Sequence, residues 1–200
     1  MFTKLALRQG LPVLTSERLR MRALAPEDDE VIFQFLNDSE VIQYLNRVNL
    51  PTKIRARRIM KEIRLSGAKL ESIHYGICLQ ESGHLIGVIS FQQWKESQKQ
   101  AQIGYMFNRA YWGQGYAAEA LERLIRFGFE EFDFTQLEAR IHEQNDRSKK
   151  LLMRSGFTHK KTQQHFSLLQ MQKQDILVYE IDREQYRHNR RGYHESGKLV

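Results

Sequence analysis

The sequence predicts an α/β domain of the α+β kind, a mixed and largely antiparallel central sheet flanked by helices. Three observations point there. Several short runs alternate apolar and polar residues, the period of a half-buried strand. Others repeat their apolar residues at helical spacing, and two adjacent strand runs are joined by a turn short enough to make a hairpin. Strands before and after each helix, with hairpins in the first half, give a mixed sheet covered by helices.

The elements follow in order. From Thr15 to Leu24, Leu19, Met21 and Ala23 alternate with Arg18, Arg20 and Arg22, so a strand is expected. Pro26 and the acidic run Glu27–Glu30 then open a helix, because proline and carboxylates suit a helix start. A second helix is expected from Thr52 to Ser66, with Ala56, Ile59, Met60 and Ile63 on one face and Gly67 stopping it. Ile73–Gln80 and Leu85–Phe91 flank a glycine-bearing turn and form the hairpin. After the polar loop Lys95–Gln100, a strand runs from Ala101 to Phe107 and a helix from Gly115 to Phe129, with Ala117, Leu121, Leu124, Ile125 and Gly128 inward. Gln136–Ile141 is a strand, Asp146–Ser155 a helix ended by Gly156, and Asp175–Ile181 a last strand.

The 200 residues, 41% of them hydrophobic, suffice for one substantial core. One domain is expected over residues 14–183, followed by a polar, basic and flexible tail over 184–200. No apolar run approaches bilayer length, no secretory h-region is present, and the lone Cys78 lies in an apolar stretch as a buried structural thiol. Together these favour a cytoplasmic protein without membrane attachment. The net charge of +7 suits an anionic cofactor, an acidic partner or nucleic acid. Neither zinc-ligand spacing nor an RNA-binding aromatic signature accompanies it, so direct nucleic-acid binding is disfavoured and no metal is expected.

Chemistry concentrates in Ile103-Gly104-Tyr105-Met106-Phe107 and the following Tyr111-Trp112-Gly113-Gln114-Gly115-Tyr116-Ala117-Ala118-Glu119-Ala120. A strand runs into a glycine loop that opens a helix, whose first turn offers unpaired N–H groups and the positive end of the dipole. Such a loop either holds a phosphate closely or is a tight turn needing φ > 0. Gly113-x-Gly115-x-x-Ala118 also fits a dinucleotide fingerprint, with Glu138 near the ribose-acid spacing. The preceding hairpin and the intervening Asn108–Trp112 are wrong for that fold. A second segment, Asn145-Asp146-Arg147-Ser148 through Ser155-Gly156-Phe157, places Asn145 at a strand-to-helix cap and Ser148 in the first helical turn.

Taken together, Tyr-Trp-Gly-Gln-Gly-Tyr-Ala followed by Asn-x-x-Ser and Gly-Phe resembles the GNAT superfamily of acetyl-CoA-dependent N-acetyltransferases. Thr15–Leu19 and Gln174–Tyr179 extend the resemblance over about Leu14 to Ile181 and liken it to the RimJ/RimL branch, which acetylates ribosomal protein N-termini. The resemblance implies the GNAT acyl-CoA N-acyltransferase fold. It also implies acetyl-CoA bound through main-chain amides of the loop Ala110–Gly115, with Trp112, Gly113, Gln114, Tyr116 and Ala117 among the binding residues. The family often has Gln or Arg at the position of Ala110; here Arg109 sits one residue earlier. The strands Ile103–Phe107 and Gln136–Ile141 would splay around the pantetheine arm, with amides near Met106 and Phe107 polarising the thioester. Asn145 would bond the pantetheine and Ser148 would lie near the sulfur.

The implied mechanism is direct attack of a neutral amine on the thioester, with CoA leaving as thiolate and Ser148 as its proton donor. The tyrosine that many relatives carry four residues later is Leu152 here. Positions where relatives carry a basic carboxylate are Lys160 and Gln102, which leaves Glu138, His142 and Glu143 as candidate bases, each with a structural role as the alternative. An α-amine, with pKa about 8, is already about a tenth neutral at pH 7, whereas lysine near 10.4 is almost wholly charged. The missing carboxylates therefore favour an α-amine acceptor such as a protein N-terminus. A small-amine acceptor (antibiotic, polyamine or amino acid) and a non-catalytic acetyl-CoA-binding regulator are the alternatives. Lys53, Arg55, Arg57, Arg58, Lys61 and Arg64 form either a solvated face or an attraction to an acidic partner, and monomer and homodimer are both compatible.

Overall fold

The computed structural model describes residues 10–44, 57, 60, 61, 63, 72–167 and 172–195. Its elements are β1 (Leu14–Thr15), β2 (Leu19–Ala23), α1 (Asp29–Leu36), α2 (Ser39–Ile42), β3 (Ile73–Leu79), β4 (Leu85–Lys95), β5 (Gln100–Phe107), α3 (Tyr116–Arg126), β6 (Gln136–His142), α4 (Asp146–Arg154), β7 (Thr158–Ser167), β8 (Gln172–Asp182) and α5 (Arg183–Glu195). They build one eight-stranded sheet in the order β1-β2-β3-β4-β5-β6-β8-β7. Neighbours are antiparallel except β5 and β6, which run parallel. This is the expected mixed sheet flanked by helices.

Alternation along the strands sorts the core into two layers. Ile73, Tyr75, Ile77, Ile89, Phe91, Ile103, Leu137 and Ala139 point to the face covered by α3, whose Ala120, Leu121, Leu124 and Ile125 are buried there. Leu152 of α4 joins the same layer. Cys78, Leu85 and Val88 point the other way, against Ile32, Phe35 and Leu36 of α1, Val41 of α2, and Met60. Burying each such aliphatic side chain stabilises the fold by about 1.5–3 kcal/mol. Cys78 is the buried free thiol its surroundings predicted.

Several boundaries differ from expectation for physical reasons. Proline and acid open a 3₁₀ turn (Pro26–Asp28) before α1 proper, because Asp28 turns back to accept from the Ala25 N–H at 2.8 Å and from both Arg22 amino groups. β4 runs on to Lys95, through an irregular stretch where Gln93 takes φ +46°. The helix expected to reach Phe129 stops at Arg126 and widens into a π-turn over Phe127–Glu131. That turn seats Phe127 and Phe132 against Phe91 and sets Phe132 and Phe134 edge-on to Trp94.

Short β1 and α2 were not anticipated, nor were two longer elements. β7 is a polar edge strand, with Lys160 left outside the pairing by a bulge between His159 and Lys161. Where a flexible tail was expected, Arg183–Glu195 is helical and docks Tyr186 into the core beside Phe129, their rings 5.0 Å apart. Of the helix expected over 52–66, Arg57, Met60, Lys61 and Ile63 are described; all are helical, with Met60 buried and Arg57 and Lys61 exposed. Lys53, Arg55, Arg58 and Arg64 lie outside the described residues.

Candidate active site

The site forms where β5 and β6 part company. They pair from Gln100↔Gln136 to Ile103↔Ala139 and no further. Beyond that point Gly104–Phe107 stays bonded to β4, and Arg140–His142 to β8. A wedge opens between the two strands, with the β6-facing edge of β5 left without a strand partner.

At the wide end of the wedge the chain makes the glycine loop. Asn108 accepts from the Ala110 N–H at 3.0 Å and holds a 3₁₀ turn over Arg109–Tyr111. Trp112 donates its indole N–H to the Phe107 carbonyl at 3.0 Å, and Gln114 donates to the Ala110 carbonyl at 2.9 Å. Gly113 and Gly115 take φ of +76° and +85°, which L side chains rarely adopt. A side chain at Gly113 would meet nothing within 4 Å, so the loop presents open space there. Gly115 caps α3 without a side chain, which leaves the first-turn amides of Tyr116 and Ala117 for an anion. The expected binding residues Ala110, Trp112, Gly113, Gln114, Gly115, Tyr116 and Ala117 therefore share one loop and helix start, and Met106 packs against the core layer on the α1 face.

Across the wedge stands the start of α4. The Asn145 side-chain Oδ1 accepts from the Ser148 N–H at 3.0 Å, so its capping role is real and only its amide NH₂ end remains to donate elsewhere. Ser148 is buried in the first turn. Tyr105 on β5 has a buried hydroxyl without a hydrogen-bond partner among the described residues, and burial pushes its pKa up to about 12. Arg147 lays its guanidinium 4.5 Å over the Trp112 ring and so links α4 to the glycine loop. Arg18, immediately before β2, lies 4.4 Å over the Tyr116 ring and 3.2 Å from where a Gly115 side chain would begin.

The candidate bases lie elsewhere. Glu138 and His142 alternate with buried Leu137, Ala139 and Ile141, and so point to the sheet face away from Ser148. Glu138 accepts from Arg140 Nε at 2.6 Å. His142 Nδ1 accepts from the Gln144 N–H at 3.3 Å, and its ring lies 5.8 Å from that of Tyr44. Glu143 is exposed beyond the strand end. Gln102 stands opposite Glu138 in register, with its amide oxygen buried and unbonded among the described residues. Arg18 and Arg147 escaped the sequence reading because each meets an aromatic ring distant in the chain.

The site thus combines a parted parallel strand pair, a glycine-capped helix start at its mouth and a capped helix carrying a buried hydroxyl. Residues 18–158 match the acetyltransferase (GNAT) domain. The chain belongs to that family of N-acetyltransferases. An uncharacterized N-acetyltransferase of Bacillus licheniformis, p20, is 31% identical over 147 residues, covering 74% of this chain and 83% of its own. The ribosomal-protein-serine acetyltransferase of Escherichia coli K12 is 25% identical over 149 residues, 72% of this chain and 82% of that one. In fold, the chain superposes on RimL, a ribosomal-protein alpha-N-acetyltransferase solved with coenzyme A, at a TM-score of 0.75 and 19% identity over 86% of this chain and 98% of that one.

Proposed function

We propose that the enzyme acetylates the α-amine of a protein N-terminus, a ribosomal protein among the candidates, with acetyl-CoA as donor. The cofactor reading rests on the wedge and the loop. The loop amides and the α3 N-terminus would bind the pyrophosphate, and the open edge of β5 would bond the pantetheine arm as a strand does. Asn145 would donate its amide NH₂ to that arm.

One observation carries the α-amine reading: among the described residues neither candidate carboxylate is presented at Ser148, since Glu138 points to the opposite sheet face and Glu143 lies exposed beyond the strand end. Gln102 stands where a base would serve, and Glu138 is held by Arg140. A site of this kind needs an acceptor that arrives neutral, which α-amines do far more often than lysines. The likeness to the E. coli ribosomal-protein-serine acetyltransferase supports the same reading. The amine attacks the thioester carbonyl, the carbon–sulfur bond breaks, and Ser148 supplies the proton that the thiolate takes.

An acceptor screen read by release of the CoA thiol tests this. Peptides with free N-termini should turn over at rates that rise through pH 8 and level off, tracking the neutral amine. Turnover of spermidine or an aminoglycoside with no turnover of peptides would replace the reading with small-amine acetylation.

A further inference from the structure

We propose that the Gln102 amide oxygen anchors the acceptor: it accepts one N–H of the neutral amine and holds the nitrogen lone pair toward the thioester carbon. This deepens the α-amine reading above and rests on it.

The α1-side face of the sheet changes character at the apex of the wedge. In the β4–β5 register, Val88↔Met106 still packs in the apolar layer under α1. The next pairs on that face are Ser90↔Gly104 and Gln92↔Gln102. Gly104 is also the first β5 residue past the last β5–β6 pair, Ile103↔Ala139. Around this point the polar groups are tied to one another. Gln92 Nε2 donates to Ser90 Oγ at 2.8 Å, and Ser90 Oγ donates to the Gly104 carbonyl at 3.2 Å. A side chain at Gly104 would begin 2.7 Å from Gln92 Nε2, so glycine is what lets Gln92 lie across the apex. On the other side of the seam, opposite Gln102, Glu138 accepts from Arg140 Nε at 2.6 Å. Gln102 stands between these engaged groups, and its buried Oε1 has no hydrogen-bond partner among the described residues.

Buried acceptors are nearly always paired, and methionine or leucine would fill the same space without an orphaned oxygen. A ligand N–H would pair it. The opposite face cannot admit that ligand, because Ile103, Ala139 and Leu152 are packed into the core there. An amine reaching the apex therefore comes over Gln102, while Ser148 stands on the α4 side where the sulfur leaves. A neutral primary amine has two N–H groups and one lone pair, whereas an ammonium has three N–H groups and nothing left to attack with. A carboxylate in this place would favour the ammonium by charge; an amide oxygen holds the amine without that bias. The carbon–nitrogen bond forms, the carbon–sulfur pair goes to sulfur, and net one proton passes from nitrogen to sulfur. Gln102 carries none of it.

Steady-state kinetics on Gln102→Met and Glu138→Gln tests this, with a free-N-terminus peptide and acetyl-CoA each varied in turn. Gln102→Met keeps the length and loses the oxygen. It should lower kcat/KM for the peptide by about fivefold to tenfold, the worth of one hydrogen bond. The acetyl-CoA KM should stay within about twofold, and the melting temperature should equal or exceed the parent's, since an orphaned acceptor has gone. Gln102→Leu repeats the measurement with a shorter apolar side chain and should give the same pattern. A merely structural glutamine would lower the melting temperature and shift both substrates alike. If the parent turns the peptide over and folded Gln102→Met does so equally well, the anchor falls and the acceptor reading stands. A larger loss in Glu138→Gln than in Gln102→Met would put the amine on the carboxylate and overturn the anchor. If the parent turns over no free-N-terminus peptide, both fall together.

Discussion

Arg18 grips both carboxylate oxygens of Glu119, its main-chain N–H reaching Oε1 and its guanidinium Nε reaching Oε2, each at 2.7 Å. Ser16 adds a hydroxyl bond to Oε1 at 2.8 Å, and Arg18 Nη1 reaches the Gln114 carbonyl at 3.0 Å. The edge of β2 thereby braces the glycine loop and the first turn of α3 from behind. Arg18→Ala should raise the acetyl-CoA KM by about fivefold, worth roughly 1 kcal/mol, and leave kcat within about twofold. The figure is modest because the side chain is 43% exposed and solvent screens it. Arg18→Lys should not rescue, since an ammonium cannot bridge Glu119 and Gln114 as a planar fork does. An unchanged KM in a folded Arg18→Ala protein would remove the bracing role.

Glu119 also sets an acid limit. Burial works to raise its pKa, but the Arg18 N–H, the Ser16 hydroxyl and the Arg18 guanidinium outweigh burial and hold it below the ordinary value. A depressed folded pKa contributes stability that is present above the unfolded value, about 4.3, and is lost as pH falls through the folded one. Glu119→Gln should therefore melt earlier than the parent at pH 7, and the gap should close below about pH 4. Melting curves across that range decide it; a pH-independent gap would mean that the carboxylate charge does not matter.

Gly113 and Gly83 make a matched pair. Both have positive φ, +76° and +72°, and both face open space. Valine at either position carries similar backbone strain, about 1–3 kcal/mol. Only Gly113→Val should abolish acetyl-CoA binding in calorimetry, because only there would the branched side chain fill the anion cradle. Equal affinity in folded Gly113→Val would sink the loop assignment.

Ser148→Ala should lower kcat more than it weakens acetyl-CoA binding. General acids contribute about 10²–10⁴-fold, and a thiolate is a good enough leaving group to put the loss at the low end or less. A ground-state hydrogen bond would instead raise KM alone. Steady-state kinetics at a saturating acceptor separates the two, and a kcat within about twofold of the parent takes Ser148 off the proton path.

The central strands were legible because half of each faces a core, so Ile73, Tyr75 and Ile77 or Leu137 and Ala139 mark their period. β7 was not, because an edge strand with a solvated face carries no such period, and lysines there protect the edge. α5 did leave a signal, in the pair Asp182 and Gln185. Asp182 Oδ1 accepts from the Gln185 N–H at 2.8 Å, and Gln185 Oε1 accepts from the Asp182 N–H at 3.1 Å, a capping box. The polar composition of 184–200 concealed it. At the site, the glycine loop and the Asn145 cap could be read because their parts are contiguous in the chain. The joining of Arg18 to Glu119 and of Arg147 to Trp112 depends on strand order, which no local pattern encodes.

The parting of β5 and β6 has a mechanical side. The first five strands and the last three meet along only four residue pairs, so the sheet behaves as two leaves sharing a short seam. A pantetheine arm lying along the open margin of β5 would act as a missing ply, lending its amides to main-chain groups that otherwise face water. Acceptance of the donor would then stiffen both leaves at once, and hydrogen exchange at residues 104–107 and 140–142 should slow with acetyl-CoA but not with 3′,5′-ADP, which lacks the arm. Nucleotide alone would dock at the glycine loop, far from the seam, and leave the book open.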